Sequence, residues 1–246
     1  MTMLDALLIK NKDQLYDFQR HFGYMFKDDA FLQEAFIHSS FAFEQGNDLS
    51  KDNENLEFLG DAVLDLAVGH GLFQKYPEMN EGELTQLRSA LVKESHLARM
   101  AREIGMGDLL LLGRGEDHSG GREKNSILSC VFEALIGAVF VDGGYGAAVS
   151  VVERWVAPWY EDRRLGLTRA DAKSKLQEML QALFSEGPTY ELQSVIGPDH
   201  NRTFNFSVNF RGQLLAEGGA GNKKKAQQNA AAKAIEIFDT FGFTKP

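Results

Sequence analysis

The hydrophobic pattern of this chain changes near residue 170, and that change is the strongest constraint on its fold. Before it, several segments carry apolar residues at helical spacing. These segments predict helices over residues 12–22, 29–38, 54–75, 81–103, 126–141 and 146–160. After a short charged stretch, a further helical segment is followed by three stretches that alternate between polar and apolar residues, and then by an alanine-rich helix. The predicted order is a helix over 171–185, strands over 189–195, 203–210 and 213–217, and a helix over 222–238 that Asn222 caps.

Two domains follow from this change of pattern. An all-α domain is predicted over residues 1–164, a linker over 165–170, and a small α+β domain of order α-β-β-β-α over 171–241. A chain of 246 residues is long enough to give each domain a core.

Composition narrows the class of protein. A chain that is 43% hydrophobic and 25% charged is typical of soluble globular proteins. No apolar run approaches the ~20 residues of a membrane helix, so we expect no membrane partner. A single cysteine excludes an internal disulfide and a cysteine-rich zinc site, and it favours a cytoplasmic protein.

The net charge of −9 argues at first against nucleic acid. The charges are unevenly distributed, however. Residues 1–169 hold 17 Lys+Arg against 27 Asp+Glu, whereas residues 170–246 hold 9 against 8. This asymmetry suggests that the second domain has a different partner from the first.

A pair of acids lies on the predicted apolar helix over 54–75. Glu57 and Asp61 are four residues apart and therefore share one helix face. Two like charges repel each other, and burial disfavours both charged forms. A hard divalent cation such as Mg²⁺ or Mn²⁺ would resolve this conflict. A solvated acidic stripe on a surface helix is the alternative that the pair alone leaves open.

Three lysines (223–225) occupy the first turn of the last predicted helix. Cations at this end oppose the helix dipole and cost stability, which suggests a purpose. Phosphate is the natural partner, because lysines and helix N-terminal amides both attract it. The alternative is a charge run that only improves solubility.

The order α-β-β-β-α, with the sequence GNKKKA (221–226) opening its last helix, resembles a double-stranded RNA-binding domain. Residues 53–64 resemble the signature of ribonuclease III, a helical endonuclease domain usually followed by such a domain. Further matches occur in the expected order at 36–40, 82–88, 119–122 and 132–138. The chain is thus similar to the ribonuclease III family over nearly its full length.

This resemblance implies an activity. The family hydrolyses both strands of double-stranded RNA as a homodimer with Mg²⁺, for which Mn²⁺ can substitute, and leaves 5′-phosphate ends with short 3′ overhangs. Similar bacterial enzymes process ribosomal RNA precursors and messenger RNA. Metal ligands are expected at Glu57, Asp61 and Glu133, with Asp61 and Glu133 also catalytic. Glu54 is expected to contact RNA or orient water, and a solvated acid at the helix start is the alternative.

The chain departs from the family at one position of the expected centre. The fourth carboxylate, an aspartate three residues before Glu133 in the family, is replaced by Cys130. A thiol is a soft ligand and poorly matched to Mg²⁺. One interpretation is that cleavage persists with weaker metal affinity. The alternative is a catalytically weakened or inactive double-stranded RNA-binding protein. Taken alone, a cysteine in an apolar helix is usually a small buried hydrophobic residue.

Resemblance also points to contact residues. RNA contacts are expected at Gln177 and Glu178 in the first helix of the second domain, at Pro198 and His200 in the following loop, and at Lys223 and Lys224. Apolar candidates for the homodimer interface are Phe58, Leu59, Leu135 and Ile136, together with Phe41 and Phe43, which are expected to be exposed. Core packing is the alternative for most of them.

Overall fold

The computed structural model describes residues 12–46, 52–198 and 201–241 of the chain. The molecule divides into two compact units, and the boundary between them lies between Glu161 and Asp162.

The first unit is built from helices. They are α1 (Lys12–Phe22), α2 (Asp29–Ala35), α3 (Ser39–Gln45), α4 (Glu54–Lys75), α5 (Glu81–Leu91), α6 (Glu94–Ile104), α7 (Met106–Leu109), α8 (Arg114–His118), α9 (Asn125–Gly143) and α10 (Tyr145–Trp155), with 3-10 turns at Gly121–Glu123 and Ala157–Trp159.

Helix α9 forms the centre of this unit and packs against α2, α4, α6 and α10. Most of its residues are buried, so its sequence is apolar on nearly every side. In the part of the chain that the structure describes, α9 is the one helix with the length and apolar composition of a membrane span, but 61% of its apolar window is buried within the protein. Its composition is therefore that of a core helix.

Two predicted helices are shorter than their apolar pattern indicated. The segment predicted as one helix over 81–103 is two helices, because Lys93 adopts an extended conformation between α5 and α6. The helix predicted over 29–38 ends at Ala35, because Ile37 forms a parallel bridge with Leu111 and His38 caps the next helix. At Ala35 a contact outside the helix ends it, and a local pattern does not contain that contact.

The chain between the predicted domains is also helical. Helix α11 (Tyr160–Ala170) covers the predicted linker 165–170 and starts directly after the 3-10 turn that contains Pro158. The helix predicted over 146–160 therefore ends earlier, at Trp155, just before this turn.

The second unit has the predicted order α-β-β-β-α. Helix α12 (Ala172–Phe184) is followed by the antiparallel sheet of β1 (Thr189–Ile196), β2 (Thr203–Phe210) and β3 (Gln213–Ala220), in the spatial order β1-β2-β3, and by α13 (Lys223–Phe241).

Both helices of this unit share one core with the sheet. Leu176 and Leu180 of α12, Val208 of β2 and a row of alanines on α13 form one buried cluster. Gly218 allows the close approach of α13, since a Cβ there would lie 2.2 Å from the backbone nitrogen of Ala230. The alanine-rich sequence of α13 thus reflects tight packing on β3.

Candidate functional site

The candidate site of the first unit depends on how closely α4 and α9 cross. A Cβ on Gly60 would lie 1.8 Å from the carbonyl oxygen of Glu133, and one on Gly137 would lie 2.1 Å from that of Leu56. Real Cβ atoms do not approach backbone this closely, so only glycine fits at either position. The two glycines therefore bring the acidic face of α4 directly against α9.

Three predicted site residues meet at this crossing. The ligand atoms of Glu57 on α4 and of Cys130 and Glu133 on α9 all lie within 4.8 Å of one another. All three side chains are half-buried. Among the described residues, no other group of three or more His, Cys, Asp or Glu ligand atoms is clustered this tightly.

Asp61, one turn after Glu57, is exposed and lies outside this tight cluster. It nevertheless acts on the same site through its charge. The pKa of Glu133 is raised to about 7, first by burial and then by the negative charges of Asp61, Glu57 and Asp65. A cation bound at this site would offset the repulsion between Glu133 and the surrounding carboxylates.

Asp65 is a further acid of this site that was not among the residues predicted from the sequence. It follows Asp61 by one further helical turn, so the four-residue spacing of the acids was the signal that could have found it. Its carboxylate also lies 4.0 Å from the guanidinium of Arg88 on α5, and both side chains are partly exposed.

The thiol of Cys130 is part of this arrangement and is held in its protonated form. Burial raises its pKa to about 12, and a hydrogen bond to Glu57 together with the charges of Glu57 and Glu133 acts in the same direction. A hydrogen bond with Ser129 lowers it by a smaller amount.

The side chains of this site suit a divalent cation, with Cys130 as the exception. Glu57, Glu133 and the exposed Asp61 offer the carboxylate oxygens that such ions bind. Cys130 stands where a further oxygen would complete a set for a hard ion, and sulfur suits softer ions.

Glu54 lies one helical turn before Glu57 and lines an open groove. It is exposed at the start of α4 and lines a cavity of about 980 Å³. Other residues of that groove are Ser39, Ser40, Phe43, Glu44, Asp52 and Glu116.

The six apolar candidates for a dimer interface differ in their exposure. Phe43 and Phe58 are 88% and 82% exposed, whereas Leu59 is partly buried. Leu135, Ile136 and Phe41 are buried in the core, so the expectation that Phe41 is exposed is wrong.

Sequence analysis also missed an apolar surface further along α4. Leu66 and Phe73 are exposed and line a cavity of about 650 Å³ between α4 and α5. Their spacing of seven residues on one helix face was the available signal.

In the second unit the lysines lie where the sequence places them. Helix α13 begins at Lys223, and the side chain of Asn222 accepts a hydrogen bond of 2.8 Å from the backbone N–H of Lys225. Lys223 and Lys224 are exposed, and the Nζ atom of Lys223 lies 6.0 Å from the ring centre of Phe204. A capped helix N-terminus and exposed cationic side chains thus occur together.

The other predicted RNA contacts are also on the surface where they can be described. Gln177 and Glu178 are exposed on α12, and Pro198 is exposed after β1. His200 lies outside the described residues.

Comparison with known proteins matches both units. Residues 28–159 match a family model described as ribonuclease-III-like, and residues 172–237 match the double-stranded RNA binding motif. Ribonuclease 3 of Desulfotalea psychrophila is 54% identical over 95% of this chain and 97% of its own length. Ribonuclease 3 of Syntrophobacter fumaroxidans is 43% identical over 94% and 97%.

A solved structure matches the first unit. The nuclease domain of ribonuclease III from Campylobacter jejuni, described with structural flexibility in the region involved in dimer formation, is 42% identical with a TM-score of 0.53. It covers 57% of this chain and 94% of that domain. Together with the full-length relatives, this match shows that the chain belongs to the ribonuclease III family of endoribonucleases and carries a double-stranded RNA-binding domain.

Proposed function

We propose that this chain cleaves both strands of double-stranded RNA by Mg²⁺-dependent phosphodiester hydrolysis, with Mn²⁺ as a substitute. The products would carry 5′-phosphate ends and short 3′ overhangs. The observation that carries the proposal is the meeting of Glu57 and Glu133 across the α4–α9 crossing, in a chain that also has a double-stranded RNA-binding domain.

The site residues have distinct roles in this proposal. Glu57 and Glu133 are held on two helices whose close crossing fixes the distance between their carboxylates. Asp61 is the exposed member, and it can orient a water molecule and the scissile phosphate. A divalent ion bound by these groups would lower the pKa of a coordinated water and stabilise the charge that develops on the phosphate oxygens.

Cleavage of both strands needs two centres, so we propose that the chain acts as a homodimer. Phe58 supports this proposal. Its side chain is 82% exposed beside the ligand Glu57, and a dimer interface would remove this large apolar group from water. The related nuclease domain from Campylobacter jejuni has a region involved in dimer formation.

The second unit would supply attraction and recognition. Exposed Lys223 and Lys224 at a helix N-terminus suit phosphate, and contacts of this kind select the shape of A-form RNA more than its sequence. We propose ribosomal RNA precursors and structured messenger RNA as substrates, and the cytoplasm as the site of action.

A cleavage assay tests this proposal. The chain is incubated with a long RNA duplex and Mg²⁺, and fragments with 5′-phosphate ends are expected. Glu133→Gln should abolish cutting while duplex binding in EDTA is unchanged. Intact duplex at saturating protein would refute the proposed activity.

Cys130 supports a second candidate, a double-stranded RNA-binding protein with little or no cleavage. The comparison of the chain with Cys130→Asp decides between the two. Cleavage by both forms supports the endonuclease, and cleavage by the aspartate form alone supports the second candidate.

A further inference from the structure

Cys130 differs from its neighbours on α9 in a way that does not fit a cysteine used only for packing. Val131 and Phe132 are completely buried, whereas Cys130 is half-buried. Its sulfur atom lies within 4.8 Å of the carboxylate of Glu57 on the opposite helix. A small hydrophobe in a core helix would instead face apolar side chains.

The three donor atoms are close enough to share one ion. Zinc binds carboxylate oxygen at roughly 2.0–2.2 Å and thiolate sulfur at roughly 2.3 Å, so in its tetrahedral geometry two ligand atoms lie about 3.5 Å apart. The ligand atoms of Glu57, Cys130 and Glu133 all lie within 4.8 Å of one another. Side-chain rotations that bring these atoms about 1 Å closer together would therefore close the set around a cation.

The chemistry of these donors favours a borderline ion over a hard one. Mg²⁺ requires near-octahedral oxygen coordination and gains little from sulfur. Zn²⁺ accepts sulfur and carboxylate oxygen together, and three protein ligands with one open position is its usual arrangement at reactive sites. The cysteine thus changes which ion this centre suits best.

We propose that Glu57, Cys130 and Glu133 bind Zn²⁺, or a borderline divalent ion such as Co²⁺, in preference to Mg²⁺. The inference deepens the proposed function, because it concerns the same metal centre. Binding converts the thiol into a metal-bound thiolate and releases its proton to the solvent. Zn²⁺ then competes with Mg²⁺ for the centre, so that the ratio of the two ions controls which form of the protein is present.

Cobalt spectroscopy tests the ligand assignment directly. Co²⁺ is added to the full-length, EDTA-treated and dialysed protein without RNA, and a thiolate-to-cobalt charge-transfer band in the near ultraviolet is expected. Because the chain has one cysteine, such a band reports on Cys130 alone. Cys130→Ser should abolish the band, and Glu57→Gln should weaken it while the thiol remains.

Competition binding tests the preference. Zn²⁺ and Mg²⁺ affinities are measured by calorimetry and by competition with a chromophoric chelator, for the chain and for Cys130→Asp. The ratio of Zn²⁺ to Mg²⁺ affinity should fall by at least about tenfold in the aspartate variant, which corresponds to about 1.4 kcal/mol. Circular dichroism and duplex binding in EDTA check that each variant is folded.

The outcomes separate this inference from the proposed function. No charge-transfer band in the parent chain at saturating Co²⁺, or an affinity ratio that Cys130→Asp does not change, overturns the inference. A band without any cleavage in Mg²⁺ supports the inference while the proposed activity fails. Cleavage without a charge-transfer band supports the proposed activity and overturns the inference.

Discussion

Replacing Glu133 by glutamine is expected to stabilise the metal-free protein while it abolishes cleavage. The carboxyl group of Glu133 is half-buried, and burial together with the charges of Asp61, Glu57 and Asp65 raises its pKa to about 7. Keeping this group ionised in the folded protein therefore costs free energy. A neutral amide of the same shape removes that cost.

The rise in the pKa of Glu133 determines how much stability the glutamine variant should gain. One pKa unit corresponds to about 1.36 kcal/mol, so the rise from 4.5 to about 7 gives an upper value of about 3 kcal/mol. Solvent reaches this carboxyl group and screens its charge, so we expect the gain to be about 1–2 kcal/mol.

The pH dependence follows from the direction of the shift. The folded protein binds the proton of Glu133 more tightly than the unfolded chain does, so its contribution to stability is complete below the unfolded pKa of 4.5. That contribution is lost as the pH rises through about 7. The advantage of the glutamine variant should therefore be small near about pH 4 and complete near about pH 8.

Urea unfolding in EDTA measures this effect. Trp155 and Trp159 are the two tryptophans of the chain and both belong to the first unit, so their fluorescence reports on the unit that contains Glu133. Glu78→Gln, at an exposed position outside the centre, is the matched control and should change stability little at either pH. A Glu133→Gln variant that is no more stable than the parent at the higher pH, or whose gain is equal at both pH values, would refute the reasoning.

Two further predictions concern the helix crossing and the RNA-binding surface. Gly60→Ala should destabilise the first unit by about 1–3 kcal/mol in urea unfolding and weaken metal binding, because its Cβ would meet the backbone of Glu133. The control is Gly69→Ala on the same helix, where the nearest atom is 3.7 Å away. Lys224→Gln should weaken binding to RNA duplexes of every sequence in filter or fluorescence assays. It should also reduce the slope of log binding constant against log salt concentration by about one. The control is Lys233→Gln, which changes a cation further along α13 and should leave this slope unchanged. An unchanged stability in the first case, or an unchanged salt slope in the second, would contradict these predictions.

Periodicity predicted the elements that are defined by their own side chains. The helices at 12–22 and 54–75 and the strand at 203–210 have the bounds that the sequence predicts, because a buried face repeats along each of them. The order of the second unit followed in the same way from alternation and turn residues. Where an element is ended by a partner distant in sequence, as at Ile37 and its bridge to Leu111, the same reasoning failed.

The sequence by itself determined which chemical groups the metal centre could use. The spacing of Glu57 and Asp61, and the motif that contains Glu133, indicated a cation site, and Cys130 was already visible as its unusual member. These are properties of residue type and helical spacing, which local sequence contains.

Only the tertiary structure decided that these groups meet and how they behave. Gly60 and Gly137 allow two helices distant in sequence to approach until the ligand atoms of Glu57, Cys130 and Glu133 lie within 4.8 Å. Burial at that crossing raises the pKa of Glu133 to about 7 and leaves Asp61 in contact with solvent. Distance and burial arise from packing between segments, and for that reason they could not be predicted from either helix alone.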